Sequence, residues 1–112
     1  MTYGYVNRNK GEDEKFLNGT HADEIIYNDR QGFDFSFANK GDKVIFNNYK
    51  SVADSVEEFL NFCVFIQETG IDYFNTEGPI DTSVSYGKLI NNICASIGRY
   101  AEENWSKEET ND

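Results

Sequence analysis

Residues 40–74 read KGDKVIFNNYKSVADSVEEFLNFCVFIQETGIDYF, and they predict a strand, a long helix and a second strand in succession. Lys43–Phe46 is apolar enough to predict the first strand, and Ile71–Asn75 predicts the second. Ser51–Thr69 carries apolar residues three and four positions apart, which is typical of a helix that buries one face, and Gly70 ends it. A helix between two strands implies a crossover connection, so we expect a largely parallel sheet.

The start of this helix is predicted from its polar residues. Ser51 or Asp54 can cap the amino terminus, because both side chains accept hydrogen bonds from free backbone N–H groups. Glu57 and Glu58 then fall in the early turns, where their negative charge suits the helix dipole.

Further elements extend this pattern in both directions along the chain. Tyr3–Val6 and Glu24–Tyr27 predict strands, and Gly11–Asn18 between them predicts a loop or a short helix. Phenylalanines alternate with polar residues over Phe33–Phe37, which predicts another strand. The apolar spacing over 86–105 predicts a second long helix. We therefore expect a small α/β domain with a central, mostly parallel sheet flanked by helices.

The composition excludes several classes of protein. The chain has 112 residues, which suggests one domain, and 15% of them are aromatic, which favours a packed core over disorder. Its formal net charge is −10, and its Lys and Arg residues are scattered singly, so unaided binding of nucleic acid is not expected. No apolar run reaches the roughly 18 residues that a membrane span needs.

Few residues could form a disulfide framework or a metal site. The two cysteines, Cys63 and Cys94, lie in separate apolar helical patterns, so we expect two buried, reduced thiols. His21 is the single histidine, and we expect no metal and no cofactor. No signal-peptide pattern precedes the first strand, which makes a cytoplasmic location the expectation.

The last third of the chain carries a resemblance to a known family. Residues 76–104 read TEGPIDTSVSYGKLINNICASIGRYAEEN. Five features follow one another in this stretch. They are an acidic-glycine step at Glu77-Gly78, an Ile-Asp-Thr-Ser turn at Ile80–Ser83, a Gly-Lys-Leu helix start at Gly87–Leu89, an Ala-Ser pair at Ala95-Ser96 and an aromatic residue at Tyr100. This order resembles the catalytic domain of the serine recombinases, the resolvases and invertases.

Two further matches lie upstream in the same order. Residues 40–74 have the spacing of the family's central segment, and YGYV at residues 3–6 resembles its first strand. The resemblance predicts a resolvase-like domain over residues 1–105, followed by an acidic, flexible tail over residues 106–112. The chain departs from the family in a shorter segment between its first two strands, and in the alternating Phe33–Phe37, where the family usually has a helix.

The resemblance implies a cleavage site whose first positions lie after the first strand. The family cuts DNA with a serine hydroxyl that becomes linked to phosphate, and arginines stabilise the charge on the transferring phosphoryl group. The family's arginine falls here on Asn7 and its serine on Asn9. An asparagine amide cannot act as that nucleophile, and no Ser or Thr lies between Tyr3 and Asn18.

The family's next arginines follow the third strand, where this chain reads Lys50-Ser51-Val52-Ala53-Asp54-Ser55. Ser51 and Asp54 fall on the two arginine positions, and Asp54 would repel a phosphate. Ser55 alone keeps the family's residue, and a helix cap or a packing role explains it. The family's second long helix continues with arginines along DNA, whereas residues 102–109 here hold four Glu and one Lys, and we expect no helix-turn-helix domain. We therefore expect no enzyme activity, with a degenerate active site at Asn7, Asn9, Lys50, Ser51 and Asp54.

The favoured function is protein–protein interaction by a catalytically inactive, recombinase-like protein. The family dimerises through its second long helix, so the candidate interface comprises Tyr86, Leu89, Ile90, Ile93, Ile97, Tyr100 and Trp105. The partner would be a second copy of the chain, a recombinase captured in mixed dimers, or a DNA-binding protein attracted to the acidic surface. Such a protein would belong to a phage or another mobile element.

Two other functions remain open at this point. A small-ligand or enzymatic site could reuse polar groups at the strand ends, namely Asn7, Asn9, Asn47, Asn48, Lys50 and Asp54. Residual DNA binding would need the basic residues Arg8, Lys10, Lys40, Lys43 and Lys50.

Overall fold

The computed structural model describes residues 1–78 and 80–110, with side chains as far as residue 101. Five strands and two α-helices form the domain: β1 Thr2–Asn7, β2 Glu24–Asn28, β3 Lys43–Phe46, α1 Val56–Thr69, β4 Asp72–Asn75, β5 Ile80–Asp81 and α2 Ser85–Thr110. Three short 3-10 helices connect them, at Arg8–Lys10, Glu14–Leu17 and Tyr49–Ser51.

The strands form one sheet in the order β2-β1-β3-β4-β5. The first four of these run parallel to their neighbours, and β5 pairs antiparallel with β4. The predicted α/β class with a mostly parallel central sheet is therefore confirmed. The two-residue strand β5 was not predicted from the sequence. Along 1–78 and 80–110, no helix has both the length and the apolarity needed to cross a bilayer.

The main core is an aromatic layer between one face of the sheet and α1. The sheet contributes Tyr5, Val44, Phe46 and Tyr73, and α1 contributes Phe62 and Ile66. Phe62 lies at the centre, since its ring makes edge or tilted contacts with several other rings. Burial of large aromatic rings on this scale is the dominant favourable contribution to folding.

The predicted strand over Phe33–Phe37 is wrong. This segment lies between β2 and β3 without regular structure over residues 33–35 and as a turn at residues 36–37, where the Phe35 carbonyl accepts from the Ala38 N–H at 3.0 Å. Its three phenylalanine rings nevertheless all pack against the core cluster, where Phe35 is almost fully buried. The alternation therefore reflects regular burial of every second side chain and not pairing with a neighbouring strand.

The other face of the sheet has a much smaller cover. Val6, Ile45 and Leu17 form a buried cluster there, with Phe16 and Phe74 packed against it in part. Leu17 and Phe16 belong to the short 3-10 helix that lies between β1 and β2. The short connection noted in the sequence is thus the cover of this face.

The helix predicted over Ser51–Thr69 begins later than expected. Residues Tyr49–Ser51 form a separate 3-10 turn, and the α-helix starts at Val56. Its cap is Ser55, whose Oγ accepts the Glu58 N–H at 3.1 Å, so the caps predicted at Ser51 and Asp54 are wrong and the cap role considered for Ser55 is confirmed. Glu57 and Glu58 do occupy the first turn, and Gly70 ends the helix in the left-handed conformation, as expected.

Small residues hold α2 against the rest of the domain. Gly87, Ala95, Gly98 and Ala101 are all buried along one side of this helix. A Cβ atom built on Gly87 would lie 1.9 Å from the Asp81 carbonyl oxygen, and one on Gly98 would lie 3.0 Å from the Leu60 carbonyl oxygen. The backbone of α2 therefore approaches its neighbours too closely for larger side chains at these positions.

The second predicted helix over 86–105 is confirmed and extends further, to Thr110. The acidic tail predicted over residues 106–112 overlaps its last turns, while residues 111–112 and the side chain of Trp105 lie outside the described residues. The domain boundary at residue 105 and the flexibility of the tail stay predictions.

The close approach of α2 predicts unequal effects of two glycine substitutions on the free energy of unfolding. Gly87→Ala should lose at least about 2 kcal/mol, because its new methyl group meets a backbone carbonyl that cannot move aside. Gly98→Ala should stay within about 1 kcal/mol of the wild type, because its milder clash is offset by the helix propensity of alanine. Urea unfolding measures both values, and a Gly87→Ala protein as stable as the wild type would contradict this packing.

Candidate functional site

An asparagine lies at the carboxyl end of each of the four parallel strands. Asn7, Asn28 and Asn75 are the last residues of β1, β2 and β4, and Asn47 directly follows β3. We call this edge of the sheet the strand edge. Ligands of open α/β sheets bind at this edge, so the bonds of these amides decide whether it can act on a ligand.

Asn7 is committed to the loop after β3. It is 1% exposed, and its Nδ2 donates to the Ser51 carbonyl oxygen at 2.9 Å. Its own backbone N–H donates to a Glu12 carboxylate oxygen at 2.9 Å. The structure thus brings together two of the predicted active-site positions, Asn7 and Ser51, as a tie between loops.

Glu12 is the residue of this edge that the sequence did not single out. Its second carboxylate oxygen accepts the hydroxyl of the fully buried Ser51, so one carboxylate joins both loops. In the sequence Glu12 stands in the polar run GEDEK, where nothing distinguishes it from Asp13 or Glu14. The left-handed turn at Gly11 reverses the chain direction, and this reversal places Glu12 against the end of β1.

The other strand-end asparagines also bind the protein's own backbone and side chains. Asn28 donates to the Tyr5 hydroxyl at 2.8 Å and to the Gly32 carbonyl oxygen at 2.9 Å. Burial raises the pKa of Tyr5 in spite of the hydrogen bonds that its hydroxyl accepts from the Asp34 N–H and from Asn28, so this hydroxyl stays protonated. Asn75 accepts the Gly78 N–H at 3.0 Å, and Asn47 accepts the Thr76 hydroxyl at 3.1 Å.

The remaining predicted active-site positions lie on the surface. Asn9 and Lys50 are exposed. Asp54 pairs with Lys10, which also donates to the Ala53 carbonyl oxygen at 3.2 Å. An open groove of about 640 Å³ beside this edge is lined by Asp54 and Glu58, and none of the other five predicted pocket residues lines it.

Three of the five basic residues considered for DNA binding are already paired with carboxylates. Arg8 donates two bonds to Asp29, each 2.8 Å long, and lies over the Tyr27 ring. Its hydrogen bond to Asp29 raises the pKa of Arg8, so the guanidinium stays charged at neutral pH. Lys43 donates to Asp81 at 2.7 Å, and Lys10 pairs with Asp54 as described. Lys40 and Lys50 are exposed.

A second candidate site is the side of α2 that faces away from the domain. Tyr86, Leu89, Ile93, Ile97 and Tyr100 are each at least half exposed, and Tyr86 reaches 75%. Their spacing of three and four residues places them on one stripe, which we call the outer face of α2. Ile90, which was also predicted in this interface, is half-buried.

The comparisons with known proteins address the fold. The crystal structure of the N-terminal catalytic domain of TP901-1 integrase superimposes with a TM-score of 0.63 at 16% sequence identity, and the match covers 91% of this chain and 96% of that domain. The chain has a serine recombinase catalytic-domain fold. The resemblance predicted from the sequence is thereby confirmed at the level of the fold. No protein-family model and no curated protein matches the chain.

The resemblance implies cleavage chemistry at the strand edge of this fold. In this chain, the amide and carboxylate side chains at that edge form hydrogen bonds to other parts of the same chain. Among the described side chains, no three His, Cys, Asp or Glu residues are grouped so that they could hold a metal ion. The buried Asn7 Oδ1 accepts no hydrogen bond from the residues that the structure describes, so within them this edge carries an uncompensated polar atom.

The carboxylate tie predicts coupling between Glu12 and Ser51. Glu12→Ala should cost about 2 kcal/mol, because it leaves the Asn7 N–H and the Ser51 hydroxyl without an acceptor. A double-mutant cycle of Glu12→Ala with Ser51→Ala, followed by urea unfolding, should give a coupling energy of at least about 1 kcal/mol. The same cycle with the exposed Lys50→Ala serves as the control and should give none. Equal coupling in both cycles would contradict the tie.

Proposed function

We propose that the chain is a cytoplasmic recombinase-fold protein that does not cut DNA, and that it acts by binding a protein through the outer face of α2. The first partner of this face is a second copy of the chain. The observation that carries the proposal is the stripe of five large apolar side chains that α2 presents to solvent.

The absence of cleavage is supported by the groups at the strand edge. Asn9 follows β1 with an amide in place of a hydroxyl, and Ser51 is fully buried with its hydroxyl donated to Glu12. A nucleophile must reach the phosphate, and a buried, committed hydroxyl cannot. A covalent link between the chain and a DNA strand, trapped by denaturant, would contradict this part of the proposal.

The role of α2 is supported by the inverted distribution of its side chains. A surface helix ordinarily buries its large apolar residues and exposes its polar ones. Here the buried side carries Gly87, Ala95 and Gly98, while Leu89, Ile93 and Ile97 are half exposed. Full burial of one such side chain is worth about 1.5–3 kcal/mol, of which roughly half remains available to a partner. A connected apolar stripe of this kind marks an interaction surface.

The chemistry of the outer face favours a second copy as the partner. None of its five residues is charged, although the whole chain carries a net charge of −10. A two-fold axis places the same uncharged stripe on both copies, so apolar contact is made where like charges do not meet. A recombinase of the same fold would meet the same face, and mixed dimers with it are the second partner to be tested.

A charge placed in the outer face should abolish self-association. Ile93→Glu puts a carboxylate at the centre of the outer face. Burying that carboxylate in a dimer would cost about 2–4 kcal/mol of association free energy, and so weaken association at least about 30-fold. Asn92→Glu is the matched control, because it adds the same charge at the exposed neighbouring position, about 100° around the helix. Sedimentation equilibrium measures the monomer–dimer constant of each protein.

The expected result is a dimer for the wild type and for Asn92→Glu, and a monomer for Ile93→Glu. A wild type that stays monomeric at about 100 μM would remove the second copy as the partner. Titration of an active recombinase with the monomeric chain would then test mixed dimers, by loss of the recombinase homodimer. Failure of both associations would contradict the proposed function.

A further inference from the structure

The two cysteines of the chain meet between α1 and α2. Cys63 is fully buried on α1, and Cys94 is half-buried on α2. The Cys94 side chain neighbours the Cys63 thiol, and both cysteines are reduced. The sequence predicted two separate buried thiols, so their contact is a finding of the fold, as is the partial exposure of Cys94.

The helices approach each other unusually closely at this point. Asn91 lies almost one turn before Cys94, and its Nδ2 donates to the Cys63 carbonyl oxygen at 3.1 Å. One turn after Cys94, the backbone at Gly98 leaves only 3.0 Å between a built Cβ atom and the Leu60 carbonyl oxygen. Ordinary helix pairs lie about 8–10 Å apart, and a disulfide needs Cα atoms within about 7 Å of each other. Contacts on both sides of Cys94 thus hold α1 and α2 in close approach where the two cysteines lie.

We propose that Cys63 and Cys94 form an intramolecular disulfide when the chain meets an oxidising disulfide such as oxidised glutathione, and that this bridge ties α2 to α1. The bridge would close a loop of about 30 residues that contains β4 and β5. It would hold α2 against the domain with its outer face towards solvent. In a reducing compartment it would be a reversible, oxidation-dependent bond and not a permanent one.

The reaction proceeds by two exchange steps. The Cys94 thiol, the more exposed of the two, loses its proton, and its sulfur attacks one sulfur of oxidised glutathione. The glutathione S–S bond breaks, and the first glutathione thiolate leaves and takes up a proton. The Cys63 sulfur, after losing its own proton, then attacks the Cys94 sulfur of the mixed disulfide and releases the second glutathione as a thiol. The two cysteines are oxidised, and one glutathione disulfide is reduced to two thiols.

The surroundings of Cys63 make the second step the slower one. Burial raises the pKa of the Cys63 thiol to about 12, and the neighbouring Cys94 and Tyr73 side chains are the titratable groups that face it. Burial also raises the pKa of Tyr73, so this neighbour stays neutral. Few Cys63 thiols are ionised at neutral pH, which keeps the pair reduced until an oxidant has first reacted at Cys94.

The test compares the equilibrium between the thiols and the disulfide in the folded and the unfolded chain. The full-length wild type is equilibrated in glutathione buffers of graded ratio, with and without concentrated guanidinium chloride, and quenched with acid. Mass spectrometry of the intact chain and of its peptides gives the fractions of free thiol, mixed disulfide and Cys63–Cys94 bridge. Cys63→Ser and Cys94→Ser are the matched controls, since neither can form the bridge.

The expected result is a loss of two mass units and a bridged Cys63–Cys94 peptide, with an equilibrium constant at least about tenfold higher in the folded than in the unfolded chain. The oxidised wild type should also unfold about 10 °C above the reduced one, a shift that both Ser variants lack. An equal or lower constant in the folded chain would overturn the proposal. So would oxidation that ends at a stable Cys94 mixed disulfide, or at a bridge between two chains.

Discussion

The contact between the backbone of α2 and the carbonyl of Asp81 constrains much of the rest of the structure. At Gly87 there is no room for a side chain, and at Gly98 there is almost none. Because the helix packs this closely, its inner side must be built from small residues such as Ala95. Leu89, Ile93 and Ile97 therefore lie on its other side, where each is at least half exposed. The close approach of α2 to α1 at Gly98 places Cys94 beside Cys63.

The strand edge shows the opposite use of polar residues. In the recombinase fold this is where the resemblance places phosphate chemistry, and it is the edge at which α/β sheets bind ligands. Here Asn7, Asn28 and Asn75 bond to loops of the same chain, and Glu12 joins two of those loops through Asn7 and Ser51. Hydrogen bonds of this kind fix loop conformation, and they commit the Nδ2 groups of Asn7 and Asn28 and the buried Ser51 hydroxyl to partners within the chain. The buried Asn7 Oδ1 accepts no hydrogen bond from the described residues, which lowers the stability of this arrangement.

Much of the fold could be predicted because its strongest patterns are local. Lys43–Phe46 and the helix ending at Gly70 follow from apolar spacing and from a helix stop. Phe33–Phe37 could not be assigned correctly, because alternation in sequence records which side chains are buried and not whether a neighbouring strand exists. The two-residue strand β5 has no pattern at all and depends on β4 for its place in the sheet.

The two candidate sites also differ in how far the sequence predicts them. The apolar stripe of α2 could be predicted from its helical spacing, but its exposure was expected only from the resemblance, because spacing alone predicts a buried stripe. The role of Glu12 could not be predicted, because it depends on the turn at Gly11 and on a partner 39 residues away in the chain. The meeting of the cysteines likewise depends on how α1 and α2 cross, which no local pattern records.

The central claim is that two copies of the chain associate through an uncharged apolar face, although the protein as a whole is acidic. The salt dependence of self-association tests this claim. Sedimentation equilibrium of the wild type at a fixed protein concentration gives its weight-average mass. We expect this mass to rise towards that of the dimer between about 20 mM and about 500 mM sodium chloride. The reason is that salt screens the repulsion between two copies of net charge −10 and leaves the apolar contact intact. A mass that stays at the monomer value throughout, or that falls as salt is added, would contradict the account.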